Sequence, residues 1–129
     1  MADILTLKTD DFLKTLKTLD ESLAKEKDEF TRDSVIVRFQ YTFELCWKTV
    51  KLFLYEKHGV NVNSPKDCFR ELRRNSSLTD EETETLNKMV DARNEVVHTY
   101  QEAVAEALYK RIKNTYRDLL LKVYQEISK

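Results

Sequence analysis

One glycine and one proline in 129 residues limit this chain more than any other feature of its sequence. Tight turns and strand reversals draw on both residue types, and average usage would supply several of each. With so few breakers, long helices are expected and a fold of many short strands is not. Charged residues make up 35% of the chain and hydrophobic residues 41%. That mixture suits amphipathic helices and argues against disorder. The length fits a single domain, residues 1–129, with a core that needs neither metal nor disulfide.

Hydrophobic spacing places the helices. Phe12, Leu13, Leu16, Leu19 and Leu23 recur at helical steps after Thr9, which is the expected cap, with Asp10 and Asp11 at the positive helix end. The polar run from Lys25 to Glu29 is a connection. Thr31 and Asp33 open the longest segment, expected from about Asp33 to Lys57. Its apolar side chains cover most of the helix circumference, while Gln40, Glu44, Lys48 and Lys51 form a polar row. A helix apolar on several sides must be covered on several sides, and the face left over by a small bundle suggests a subunit interface. Gly59 is placed for a left-handed stop. Ser64-Pro65 starts a short helix that ends in Arg70, Arg73, Arg74 and Asn75. These arginines either complement the helix dipole or form a phosphate patch. Thr79-Asp-Glu-Glu82 is a capping box opening the next helix. Thr99-Tyr-Gln-Glu102 is a second one, so a helix is expected to end near His98 and another to start at Tyr100 and run almost to Lys129. Four long helices with one short helix predict an all-α, up-and-down four-helix bundle.

A net charge of −1 gives no global attraction to nucleic acid or to acidic membranes. Cys46 and Cys68 lack metal-ligand spacing and read as reduced thiols. No apolar run is long enough to span a bilayer, and the N-terminus has no signal-peptide pattern, so a cytoplasmic protein is expected.

The chemistry-bearing residues gather in Asp91-Ala-Arg-Asn-Glu-Val-Val-His-Thr-Tyr100. Asn94 and His98 are one helical step apart, on nearly the same face. Arg93 lies roughly 140° around the helix from His98, although a long side chain can curl toward the helix end. The amides that open the following helix form an anion site. A guanidinium can stabilise charge developing on phosphate, and an imidazole can exchange protons near neutral pH. RNA cleavage by the 2′-hydroxyl needs only such groups, with no metal and no cofactor. Arg93, Asn94 and His98 are therefore candidate phosphate- or nucleotide-binding residues, with Arg93 and His98 the catalytic candidates. On residue types alone the simpler expectation is a dipole-complementing histidine, a surface ion pair and a packed tyrosine.

Arg93-Asn-Glu-Val-Val-His-Thr-Tyr100 resembles the arginine, four residues, histidine, any residue, tyrosine pattern of HEPN domains. Arg32-Asp-Ser-Val-Ile-Val-Arg-Phe-Gln-Tyr-Thr-Phe-Glu-Leu-Cys-Trp-Lys48 and Ser64-Pro-Lys-Asp-Cys-Phe-Arg70, in that order before it, extend the likeness over nearly the whole chain. The chain resembles the nucleotidyltransferase substrate-binding protein family, the HepT-like partners of minimal nucleotidyltransferases. The resemblance implies a HEPN-like bundle that forms a homodimer, with the arginine–histidine motifs of two subunits meeting in a cleft. It also implies a separate minimal nucleotidyltransferase, encoded nearby, as partner. In toxin–antitoxin versions the helical protein is a metal-independent ribonuclease, inactivated when the nucleotidyltransferase adds AMP to the motif tyrosine. By position, Arg93 and His98 would be catalytic and Tyr100 the modification site. The alternative is a non-catalytic subunit that binds nucleotide or substrate for the partner. Glu44, on the polar row of the second helix, is a weaker candidate, and a solvated or dimer-interface role is the one expected of it. The chain has no Gly-Ser loop followed by spaced aspartates, so nucleotidyl transfer itself is not expected of it.

Overall fold

A computed structural model of the chain describes residues 3–98 and 101–129, with the backbone alone over 95–98. Helix α1 spans Ile4–Leu23. It starts earlier than the apolar spacing predicts. Asp3, not Thr9, is its cap, with the Asp3 carboxylate accepting from Thr6 N at 2.7 Å. Thr9 sits inside the helix and its hydroxyl donates to the Leu5 carbonyl at 2.8 Å. Buried Leu5 accounts for the extra turn, since it continues the inward face back toward the N-terminus.

Helix α2 spans Glu29–His58, so its start also moves forward from the expected Asp33. Asp28 is the cap, and Thr31 is the third residue of a reciprocal box. Thr31 N donates to Asp28 Oδ1 at 2.8 Å and Asp28 N donates to Thr31 Oγ1 at 2.7 Å. Gly59 ends the helix at φ 66°, in the left-handed region where a side chain would be strained.

The short helix α3, Pro65–Arg74, begins on Ser64 as expected. Helix α4, Asp80–His98, opens on the predicted box, with Thr79 and Glu82 each accepting from the other's backbone amide. The last rod comprises α5 (Glu102–Arg111), a π-helical turn (Ile112–Tyr116) and α6 (Arg117–Ile127). Its cap is Gln101, so the helix starts two residues beyond the expected Tyr100. Glu102 is therefore the first helical residue and not the third of a box, and its carboxylate turns to Arg32. Thr99 lies outside the described residues.

Cross-links fix the topology. Thr18 meets Tyr41 at 2.7 Å, so α1 and α2 are antiparallel neighbours near mid-helix. Arg117 grips both carboxylate oxygens of Asp20, at 2.7 and 2.8 Å, tying α6 to the end of α1. Lys122 reaches Glu82 at 2.6 Å and so sets α6 antiparallel to α4. Arg32 near the start of α2 meets Glu106 near the start of α5, so these two helices run the same way. The order is up, down, up, down, with α3 packed on α2 through Phe69 against Phe43 and tied to α4 through Lys66–Asp91 at 3.0 Å and through Arg73–Asp80.

The core is rich in phenylalanine. Phe12, Phe39, Phe43 and Phe69 are fully buried, each contributing about 1.5–3 kcal/mol by leaving water. Phe39 stacks on Tyr116 with centroids 5.7 Å apart, and Phe43 meets Phe69 at 5.9 Å. Among the described residues no helix is long and apolar enough to cross a membrane.

Candidate functional site

The site grows from α2 and α4 where they pass each other. Arg93 is held from three directions. Its Nη1 donates to Glu44 Oε1. Its Nε and Nη2 donate to Asn94 Oδ1 at 3.2 and 3.0 Å. The guanidinium carbon stands 5.5 Å from the Phe43 ring centroid. Because Phe43 is locked in the core against Phe69, the cation rests on a fixed aromatic face. Only 20% of the Arg93 side chain is exposed.

Glu44 is fixed on its other side. Trp47 Nε1 donates to Glu44 Oε2 at 3.0 Å, and Lys48 approaches the same oxygen at 3.9 Å. An open cleft of about 400 Å³ lies above the pair, lined by Val37, Gln40, Tyr41, Glu44 and Arg93. The Tyr41 ring is anchored by its hydroxyl on Thr18 and remains partly exposed. A guanidinium beside an apolar, aromatic cleft can bind a phosphate while a base or ribose lies over the apolar wall.

Of the four residues expected to form the site, Arg93 and Asn94 are brought together as neighbours that share hydrogen bonds. His98 is the last described residue of α4 before the undescribed residues 99 and 100; its side chain is outside what the structure describes. Tyr100 also lies outside the described residues. Glu44 emerges as a partner of Arg93, a role its place on the polar row did not reveal. The arginines of α3 are each spoken for. Arg70 pairs with Asp67, Arg73 with Asp80 and Arg74 with Glu71. These exposed pairs at the end of α3 fit the helix-end reading of that cluster.

A second unforeseen element holds the segment after the motif. Arg32 is 1% exposed and donates to Asp33 at 3.0 Å, Glu102 at 3.4 Å and Glu106 at 3.1 Å. Lys27, then Arg32, hold the Glu106 carboxyl below its ordinary range. Both cysteines are buried. Burial pushes the Cys46 thiol up and the Cys68 thiol to about 11, so neither is a ready nucleophile near neutral pH. A hollow of about 390 Å³ between α4 and the last rod is lined by Glu81, Glu82 and Asp118 against one ammonium, Lys122, which makes it a poor seat for phosphate.

An up-and-down bundle with an arginine–histidine motif closing its third long helix defines a HEPN-like helical domain. Solved structures of the same shape bear this out. A protein from Thermus thermophilus, known from its crystal structure, is 37% identical, with 92% of this chain and 99% of that chain covered and a TM-score of 0.84. The tri-AMPylated HEPN toxin of Shewanella oneidensis, solved in complex with its MNT antitoxin, is 23% identical, with 99% and 98% covered and a TM-score of 0.78. A toxin–antitoxin complex solved with AMP-PNP is 23% identical over 98% and 99%, also with a TM-score of 0.78. Among curated proteins there is no match to the chain. The family model "Nucleotidyltransferase substrate binding protein like" matches residues 7–129, and the chain belongs to that family.

Proposed function

We propose that the chain is the HEPN-type partner of a minimal nucleotidyltransferase, encoded nearby, and that it is a metal-independent ribonuclease toxin in such a pair. The observation that carries this reading is the clamped Arg93 guanidinium beside an open cleft, on the helix that ends at His98. Arg93 would stabilise charge on the scissile phosphate. The RNA 2′-oxygen attacks phosphorus, the bond to the 5′-oxygen breaks, and a 2′,3′-cyclic phosphate results. His98 takes the 2′-hydroxyl proton or gives one to the leaving oxygen.

The protein would act in the cytoplasm as a homodimer, with two such motifs facing a shared cleft. Tyr100 would be the brake. Its phenol oxygen attacks the α-phosphorus of ATP in the partner's active site, AMP is transferred and pyrophosphate leaves. The tri-AMPylated state of the Shewanella toxin, in complex with its antitoxin, supports AMP transfer to a protein of this kind.

The test is cleavage of a structured RNA by purified protein in the presence of chelator. Wild type is expected to cut and His98→Ala to lose at least about 100-fold, within the range for removing a general acid–base group. Equal cutting by both overturns the reading.

The family description favours a second reading, a non-catalytic subunit that holds nucleotide or substrate for the partner enzyme. Calorimetric titration with nucleotides, alone and with the partner, separates the two. Binding that Arg93→Ala abolishes, without RNA cleavage by wild type, would select the second.

A further inference from the structure

We propose that Glu44 is the positioning residue of this site: its carboxylate, braced by Trp47, sets where the Arg93 guanidinium presents its remaining N–H groups to a phosphate. The proposal rests on the reading of Arg93 as the phosphate-binding group.

Each Glu44 oxygen has a different partner. Oε1 accepts from Arg93 Nη1, and Oε2 accepts from Trp47 Nε1 at 3.0 Å. Trp47 is partly buried and packed against the core, so the indole is a rigid strut. The carboxylate is thereby fixed in rotation as well as in place. Arg93 is a long side chain on another helix, 49 residues away in sequence. Its own helix supplies one further constraint, the Asn94 carboxamide on the Nε and Nη2 edge. A guanidinium has five N–H donors. Three are taken by Glu44 and Asn94. The remaining two, one on Nη1 and one on Nη2, are what a phosphate can use, and their direction follows from the three already bound. Phe43 closes one face of the plane. Without Glu44, one edge bonded to an exposed asparagine would be left to orient a side chain with four rotatable bonds.

Glu44 does not touch the reacting atoms in this scheme. Its effect runs through Arg93, so the direct readout is the guanidinium itself. In 15N spectra of the arginine side chains, wild-type Arg93 is expected to show resolved Nη signals, because rotation about its Cζ–N bonds is hindered. Arg93→Ala assigns them. Glu44→Ala is expected to collapse them into one averaged signal, while Glu44→Gln, whose single carbonyl oxygen can accept from Arg93 but whose amide nitrogen cannot accept from Trp47, is expected to broaden them without averaging. Trp47→Phe, which removes the strut donor, is expected to broaden them.

RNA cleavage follows the same order: about 100-fold loss in Glu44→Ala and recovery to within about tenfold in Glu44→Gln, at unchanged thermal midpoint. Resolved Nη signals in Glu44→Ala with cleavage unchanged, or faster cleavage in that variant, overturn the proposal. If wild type does not cleave RNA, the ribonuclease reading fails, and the Nη signals still decide the role of Glu44. If Glu44→Ala does not fold, Glu44→Leu is read in its place.

Discussion

Arg93 is asked to be three things at once: a planar hydrogen-bond donor, a cation over an aromatic ring and a partner for a carboxylate on another helix. Lysine keeps the charge but offers no fork and no flat face. Arg93→Lys is therefore expected to lose nearly as much RNA cleavage or nucleotide affinity as Arg93→Ala, with folding unaffected. A lysine variant within about threefold of wild type would show that charge alone is enough. Glu126 is a residue-scale case in which the work is structural. Its side chain is 6% exposed. Its carboxylate accepts from Ser77 N at 2.7 Å and Ser77 Oγ at 2.8 Å and pairs with Lys129 at 2.8 Å. Lys129 first, then the Ser77 amide, lower its pKa from 4.5 to about 2. A carboxyl whose folded value lies below its unfolded value adds stability above the unfolded value, and loses it as pH falls through the folded one. Glu126→Gln is thus expected to cost about 1–3 kcal/mol at pH 7, with the gap to wild type closing between pH 4.5 and 2. Urea unfolding at a series of pH values measures it.

Among the elements, α5 matters most to the site, because it leads directly out of the motif. Its cap makes no side-chain hydrogen bond, so its first turn depends on Arg32. Removing one partner of a buried ion pair costs about 3–5 kcal/mol. Here Glu102 and Asp33 are well exposed and Glu106 about a third exposed, so water can take over the carboxylates and the lower end applies. Arg32→Ala is expected to speed hydrogen exchange in the first turn of α5 before any other helix. Uniform loss of protection would mean that Arg32 supports the core as a whole. The helices themselves were legible in the sequence because apolar spacing, Gly59, Ser64-Pro65 and the Thr79 box are local signals. Their starts were less so. Asp3 and Asp28 cap from outside the apolar pattern, and a box such as Thr99–Glu102 does not show that a buried arginine 70 residues away will claim its glutamate. The π turn left a trace that could have been read. Leu108, Ile112, Tyr116 and Leu120 recur every four residues and are all buried. Such steps drift roughly 40° each on an α-helix, roughly 120° over the run. One wide turn takes up a residue, about 100°, and keeps the row facing the core. The Glu44–Arg93 pair had no comparable trace, since nothing local in either helix says which residues of the two will meet.

At the scale of the whole molecule, the expectation from the all-round apolar character of α2 becomes a located surface. Phe30, Val37 and Tyr41 are 85%, 56% and 39% exposed. Steps of seven and eleven residues bring them within roughly 20° of one line along the helix. Continued, that line reaches Glu44 and the cleft beside Arg93. An apolar stripe running into a polar site is the arrangement that would let two copies bury the stripe and bring both motifs to one groove. Sedimentation velocity across a concentration series is expected to show a dimer for wild type. Val37→Glu, at an exposed position, should leave the stability of the monomer within about 0.5 kcal/mol while shifting the species to monomer. If the groove is shared, the same variant should lose RNA cleavage although Arg93, Asn94 and His98 are intact. A monomeric Val37→Glu with full activity would confine the site to one chain, and a dimeric one would place the interface on another face.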